Sequence, residues 1–189
     1  AQSVANVPRC AAVDGAAAIT EARQPPGRIA TLVLPADTAW SEGGEVATAA
    51  APEARRTVDQ DAIEAAASAL TSGRPAALLL GDLAMREDAL LLAGRIAART
   101  GCKLLSEYAL PRLQRGAGRV YTQRVPYAVD PSLALLKDFG ELVLVGAKVP
   151  VAFFAYPGKP SVLTPESCKI NGLAGLADDQ LDALQRLAE

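Results

Sequence analysis

The sequence predicts an α/β protein: a doubly wound parallel sheet of about six strands, preceded by a helix–strand remnant of another α/β domain. Three observations lead there. Short uninterrupted apolar runs, clearest at residues 76–80 and 142–146, recur along the chain, as in strands buried on both faces of a parallel sheet. Segments with one apolar helical face alternate with them, and short glycine- or proline-bearing turns join the two. Of the 189 residues 50% are hydrophobic and 21% charged, which suits a buried core and is too apolar for a disordered chain.

The elements follow in order. Val13, Ala16, Ala17 and Ile19 sit at helical spacing, and Pro25, Pro26 and Gly27 stop that helix. Residues 29–34 then form an apolar strand closed by Pro35. One helix and one strand cannot complete a sheet, so their partners are expected upstream, and the lack of an initiator Met agrees. Residues 1–40 therefore read as the C-terminal remnant of a preceding domain. Residues 41–56 hold no bulky apolar side chain except Val46 and predict a linker, its start pinned to a surface by Trp40.

The central domain is expected over residues 57–189. Thr57 and Gln60 fit a capping box, with Asp59, Asp61 and Glu64 favourable to the helix dipole. Ile63, Ala66, Ala67 and Leu70 make the apolar face of that helix, and Gly73 ends it. Residues 76–80 are a strand leading to Gly81-Asp82. A helix over 84–99 turns Met85, Ala89, Leu92, Ala93 and Ile96 inward, Gly101 stops it, and 102–105 is the next strand. Residues 106–129 are irregular. Asp130 as N-cap and Pro131 as first residue open another helix, with Leu133, Leu136 and Phe139 inward. Residues 142–146 form the most pronounced strand, 162–163 and 169–170 weaker ones. A final helix over 177–188 buries Leu181, Leu184 and Leu187.

Composition narrows the function. There is no histidine, which rules out Ser-His-Asp and Cys-His constellations and imidazole metal sites within these residues. Cys10, Cys102 and Cys168 are far apart and form no Cys-x-x-Cys pair. They suggest neither zinc nor a redox couple, and a reducing, cytoplasmic setting fits them. Cys102 lies in an apolar run and is expected to be buried. The formal net charge of −2 leaves no basic field for nucleic acid. No apolar run reaches membrane-spanning length, and the first residues lack the order of a signal peptide.

Ligands of open parallel sheets bind at the carboxyl ends of the strands. Two turns qualify, Gly81-Asp82 and Gly146-Ala147-Lys148. Each has one glycine that permits close backbone approach and is expected to lead into a helix. They make a candidate nucleotide site, although neither is a Gly-x-Gly-x-x-Gly fingerprint. Arg112, Arg115, Arg119 and Arg124 lie on one loop with the chemistry to clamp phosphates. Asp37, Asp59, Asp130 and Asp178 fall at helix starts and need no catalytic role. No carboxylate pair stands out as general acid and base.

Two segments carry a family resemblance. Residues 25–40, PPGRIATLVLPADTAW, resemble the closing strand of the pyrimidine-binding domain in thiamine-diphosphate enzymes of the acetolactate-synthase large-subunit type, close to benzoylformate decarboxylase. Residues 57–189 resemble their Rossmann-like central domain. RPAALLLGDLA (74–84) matches its first strand and turn, and LVLVGAKVPVAFFAYPGKPS (142–161) its late strand and loop. The resemblance implies a parent in which thiamine diphosphate forms a carbanion-like ylid that attacks a 2-keto acid. A glutamate of the pyrimidine-binding domain activates that cofactor. The family holds the diphosphate and magnesium with Gly-Asp-Gly followed by a distant Asn. Here Gly81-Asp82 is followed by Leu83, and the only asparagines are Asn6 and Asn171. These residues are therefore expected to have no catalytic group and no metal, and thiamine diphosphate and magnesium are expected in other domains of the chain. Some members carry FAD in the central domain, others ADP or nothing; the single-glycine turns do not favour FAD. The partners implied are the other domains of the same chain and further copies in a homo-oligomer. The alternatives are a free-standing FAD-, ADP- or NAD-binding module and a ligand-free interaction domain.

Overall fold

The structure, a computed structural model, describes residues 2–4 and 8–189. Two compact units divide the chain, residues 1–55 and 56–189. Of the expected 1–40 remnant, residues 1 and 5–7 lie outside the described residues.

The first unit holds β1 (Gln2–Val4), α1 (Pro8–Arg23), β2 (Thr31–Val33) and α2 (Ala36–Trp40). The strand expected over 29–34 shortens to three residues. It is not left bare, because β1 pairs with it in parallel, Gln2 opposite Thr31 and Val4 opposite Val33. α1 stops before Pro25-Pro26 as expected. Among residues 10–55 only Thr38 is buried. Trp40 does not pin the following segment: it is 88% exposed. Residues 41–55 form no helix or strand, yet they are tied to α1 and to the residue that follows it. The backbone N–H of Ala50 donates to Thr20 Oγ1 and that of Glu53 to Gln24 Oε1, both at 3.0 Å.

The second unit is a five-stranded, all-parallel sheet in the order β5-β4-β3-β6-β7. Its strands are β3 (Ala76–Leu80), β4 (Lys103–Ser106), β5 (Gln123–Arg124), β6 (Glu141–Val145) and β7 (Lys169–Ala174). The helices are α3 (Gln60–Leu70), α4 (Glu87–Thr100), α5 (Val129–Leu136) and α6 (Gln180–Ala188), with a 3-10 turn at Asp82–Met85. Every residue of β3 and β6 is buried, and their side chains alternate between two cores. Leu78, Leu80, Val143 and Val145 pack under α3, α4 and α6. Ala77, Leu79, Leu142 and Leu144 pack under α5 and the irregular chain around Leu163. Burying each such aliphatic side chain contributes about 1.5–3 kcal/mol, so β3 and β6 anchor the unit.

Several expectations are corrected. The sheet has five strands because residues 162–163 do not join it; Val162 makes one antiparallel bridge to Val151. β5 lies within the stretch read as irregular, two exposed polar residues paired with Leu105 and Ser106. The Thr57–Gln60 box does not form. Asp59 is the N-cap of α3 and makes no side-chain cap bond, while Gln60 bridges Glu64 and Arg186. α5 starts at Val129, which places Asp130 and Pro131 inside its first turn, where Pro131 lacks only an N–H that has no helical partner. In α6 it is Gln180, Ala183 and Leu184 that are buried, whereas Leu181 is exposed. Gly101 ends α4 in left-handed backbone, its N–H on the Ala97 carbonyl, as the sequence requires.

At the opposite, amino-terminal edge of the sheet an ion pair ties the central strands. Arg74 Nη1 donates to Glu141 Oε1 at 2.9 Å, and Nη2 to the Ser167 carbonyl at 2.8 Å. Asn171 Nδ2 donates to Glu141 Oε2 at 3.1 Å.

Candidate functional site

β3 is the centre of the sheet: the chain runs outward through β4 and β5, then returns to β6 on its other side. The reversal falls between β3 and β6, so the crevice beyond their carboxyl ends is where such sheets take ligands. Gly81 follows β3 and Gly146 follows β6, and the structure brings these two predicted glycines against each other. A Cβ on Gly81 would lie 2.4 Å from the Gly146 carbonyl oxygen and 2.6 Å from Glu107 Oε2. Gly146, at φ +61°, would place a Cβ 2.3 Å from Gln180 Oε1. Only glycine fits at either position.

A cavity of about 420 Å³ opens beside this contact, lined by Asp82, Gly146 and Lys148 together with Glu107, Tyr108 and Tyr127 and an apolar wall that includes Leu79 and Leu163. Four of the five predicted site residues therefore lie in or against one cavity; Ala147 is half-buried and packs against the core that holds Leu142 and Leu144. The helix expected after Gly146 is absent, since residues 147–168 contain none. Of the four arginines, none lines the cavity. Arg119 pairs with Glu87 at 3.0 Å, Arg124 donates to the Tyr108 carbonyl, and Arg112 and Arg115 are exposed.

Sequence reasoning missed Gln180 and Glu107. Gln180 is fully buried at the start of α6. Its Oε1 accepts the Ala84 N–H at 2.8 Å, and its Nε2 donates to Asp82 Oδ2 at 3.0 Å and to the Gly175 carbonyl at 3.2 Å. These bonds hold Asp82 at φ +43°, left-handed backbone unusual for a residue with a side chain. A Gln one residue past the Asp-Asp start of an amphipathic helix gives no sequence signal of burial. Glu107 had one: it follows directly on an apolar strand. Its Oε1 accepts the Lys148 N–H at 2.8 Å. Burial pushes the Glu107 carboxyl above its ordinary range, the Lys148 N–H and ammonium pull it back, and the nearby Asp82 charge adds to the rise.

Four backbone donors of the two turns are already used. Gly81 N–H bonds Val145 and Gly146 N–H bonds Ala174, at 2.9 and 2.8 Å; those of Ala84 and Lys148 serve Gln180 and Glu107. A pyrophosphate at such a turn relies on free N–H groups, and these four are not open to one. Cys102 and Cys168 are buried and free, and burial pushes both thiols up, which keeps them protonated and unreactive.

The fold is that of a domain of thiamine-diphosphate-dependent enzymes. A Mycobacterium smegmatis structure described as a “putative thiamin diphosphate-dependent enzyme” superposes with a TM-score of 0.73 at 19% identity, over 99% of this chain and 39% of that one. Benzoylformate decarboxylase from Polynucleobacter necessarius gives 0.72 at 18% identity, over 98% and 37%. In sequence the chain is similar to a Mycobacterium tuberculosis protein described as “Putative acetolactate synthase large subunit IlvX”, 42% identical over 174 residues, 90% of this chain. It spans 33% of that relative's length. No protein-family model matches the chain. The resemblance read from the sequence to thiamine-diphosphate enzymes of the acetolactate synthase type stands.

The residues present do not fit that cofactor's diphosphate and metal. Among the described residues no three His, Cys, Asp or Glu side chains converge on a point. Asp82, the one acid of a Gly-Asp turn, has its carboxylate held by Gln180. Among the described residues no helix is long and apolar enough to cross a membrane.

Proposed function

We propose that these residues form a non-catalytic central domain, structural and assembly-bearing, of a thiamine-diphosphate-dependent 2-keto-acid enzyme of the acetolactate synthase type. One observation carries the reading: Gly81-Asp82 continues into Leu83 instead of a second glycine, and Asp82 is bound to Gln180 rather than left open for a metal. The 42% identity to a third of an acetolactate synthase-type relative supports the parentage.

On this reading the parent's carbon–carbon chemistry, as a transferase or a 2-keto-acid decarboxylase, belongs to other domains of its own chain. Those domains hold thiamine diphosphate and magnesium, and the whole enzyme is a homo-oligomer. A reducing cytoplasm suits the three free cysteines. An assay of the 189-residue chain with pyruvate, thiamine diphosphate and magnesium tests the central claim. No acetolactate or acetaldehyde should form; turnover above the protein-free control would overturn it.

A further inference from the structure

The cavity at the strand ends has a chemistry of its own. We propose that it binds a flat aromatic cation, a ring bearing an amidinium or protonated amino group, and that it disfavours anionic molecules of similar shape. The inference goes beyond the domain's role in a larger enzyme and stands on the cavity alone.

Size and walls come first. About 420 Å³ lies within the range of small-molecule sites, which combine an apolar lining with a few convergent polar groups. Here the lining is mostly aliphatic and proline, with Tyr108 and Tyr127 on one side, their centroids 5.5 Å apart at 65°. Both rings also pack on Phe153; aromatic rings suit a planar ring partner, and a tyrosine face attracts a cation.

Charge then selects the sign. Asp82 and Glu107 both line the cavity, against the single cation Lys148, which is exposed. One oxygen of each carboxylate is engaged, Asp82 Oδ2 by Gln180 and Glu107 Oε1 by the Lys148 N–H. A carboxylate has lone pairs beyond the one bond recorded for each, and an amidinium presents paired N–H groups that suit such acceptors. An anion would meet two carboxylates at turns whose backbone donors at Gly81, Ala84, Gly146 and Lys148 are all taken.

Benzamidine and benzoate, nearly isosteric and opposite in charge, make the test, with ADP as the phosphate-bearing arm. Isothermal titration of the 189-residue chain near neutral pH and at low salt should give benzamidine an affinity at least about ten-fold above that of benzoate or ADP, a preference of about 1.4 kcal/mol. Amide shifts on benzamidine addition should centre on Tyr108, Tyr127 and Lys148. Glu107→Gln keeps an acceptor for the Lys148 N–H and removes the charge, so it should weaken benzamidine binding about ten-fold with circular dichroism unchanged. Asp82→Asn serves the same purpose where Glu107→Gln fails to fold. Benzoate or ADP binding as tightly as benzamidine, no benzamidine binding, or unchanged affinity in the folded variant would each overturn the proposal. None of these results bears on pyruvate turnover, so the two readings fail separately.

Discussion

Gly146 shows how much one residue can be required to do. Its φ of +61° is open to glycine and costs a residue with a Cβ about 1–2 kcal/mol. The added carbon would also collide with Gln180 Oε1, the acceptor of the Ala84 N–H. Displacing that amide leaves a buried donor unsatisfied, a further 1–3 kcal/mol or so. Gly146→Ala is therefore expected to lower stability by about 2–5 kcal/mol in urea unfolding. Gly158→Ala is the control. Its φ of +71° carries the same backbone strain with open space around it, so only the smaller cost should appear. Equal losses in the two variants would show that contact with Gln180 contributes nothing.

At the scale of elements, strands β3, β6 and β7 are joined twice, by their ladders and by Arg74, Glu141 and Asn171 at their amino ends. The Glu141 side chain is only 6% exposed and that of Arg74 is 38% exposed. Gly140 leaves the room in which the guanidinium lies, since a Cβ there would come within 2.7 Å of Arg74 Nε. Removing one partner of a buried pair strands the other charge, whereas removing both does not. Arg74→Met should cost about 2–4 kcal/mol, below the fully buried case because Arg74 is partly in water. The double variant Arg74→Met/Glu141→Leu should regain at least half of that loss. A double-mutant cycle in urea checks this; additive losses would mean the pair acts as two independent side chains.

Over the whole molecule the two units differ in kind. The second has two apolar cores, one on each side of its sheet. The first buries only Thr38 among residues 10–55 and exposes Ile29, Trp40 and Val46 almost completely. So small and open a unit gains little stability from burial, and its apolar side chains favour association with other surfaces. Arg56 belongs with the second unit: it pairs with Asp178 at 3.0 Å, and its carbonyl accepts the Asp179 N–H at 2.7 Å. Deleting residues 1–50 preserves both contacts. The truncated chain should unfold cooperatively in urea and sediment more nearly as a monomer than the full chain. Loss of the cooperative transition would mean that the first residues complete the second unit's core.

The sequence by itself determined the fold class and the strongest elements. Continuous aliphatic runs at β3 and β6 could be satisfied only by burial on both faces, and periodic apolar residues set α3 and α4. Gly81, Gly146 and Gly101 marked turns because each performs a backbone task that other residues perform badly. Weak patterns were illegible for equally physical reasons. β5 is two exposed polar residues whose pairing depends on β4 beside it, and α5 begins one residue before its Asp-Pro signal because Val129 is drawn into the core. Tertiary structure alone decided the site. Strand order placed Glu107 beside Asp82 and delivered Gln180, from the last helix, to the turn after β3. Those meetings join residues far apart in the chain, and local propensity carries no information about which strand ends become neighbours.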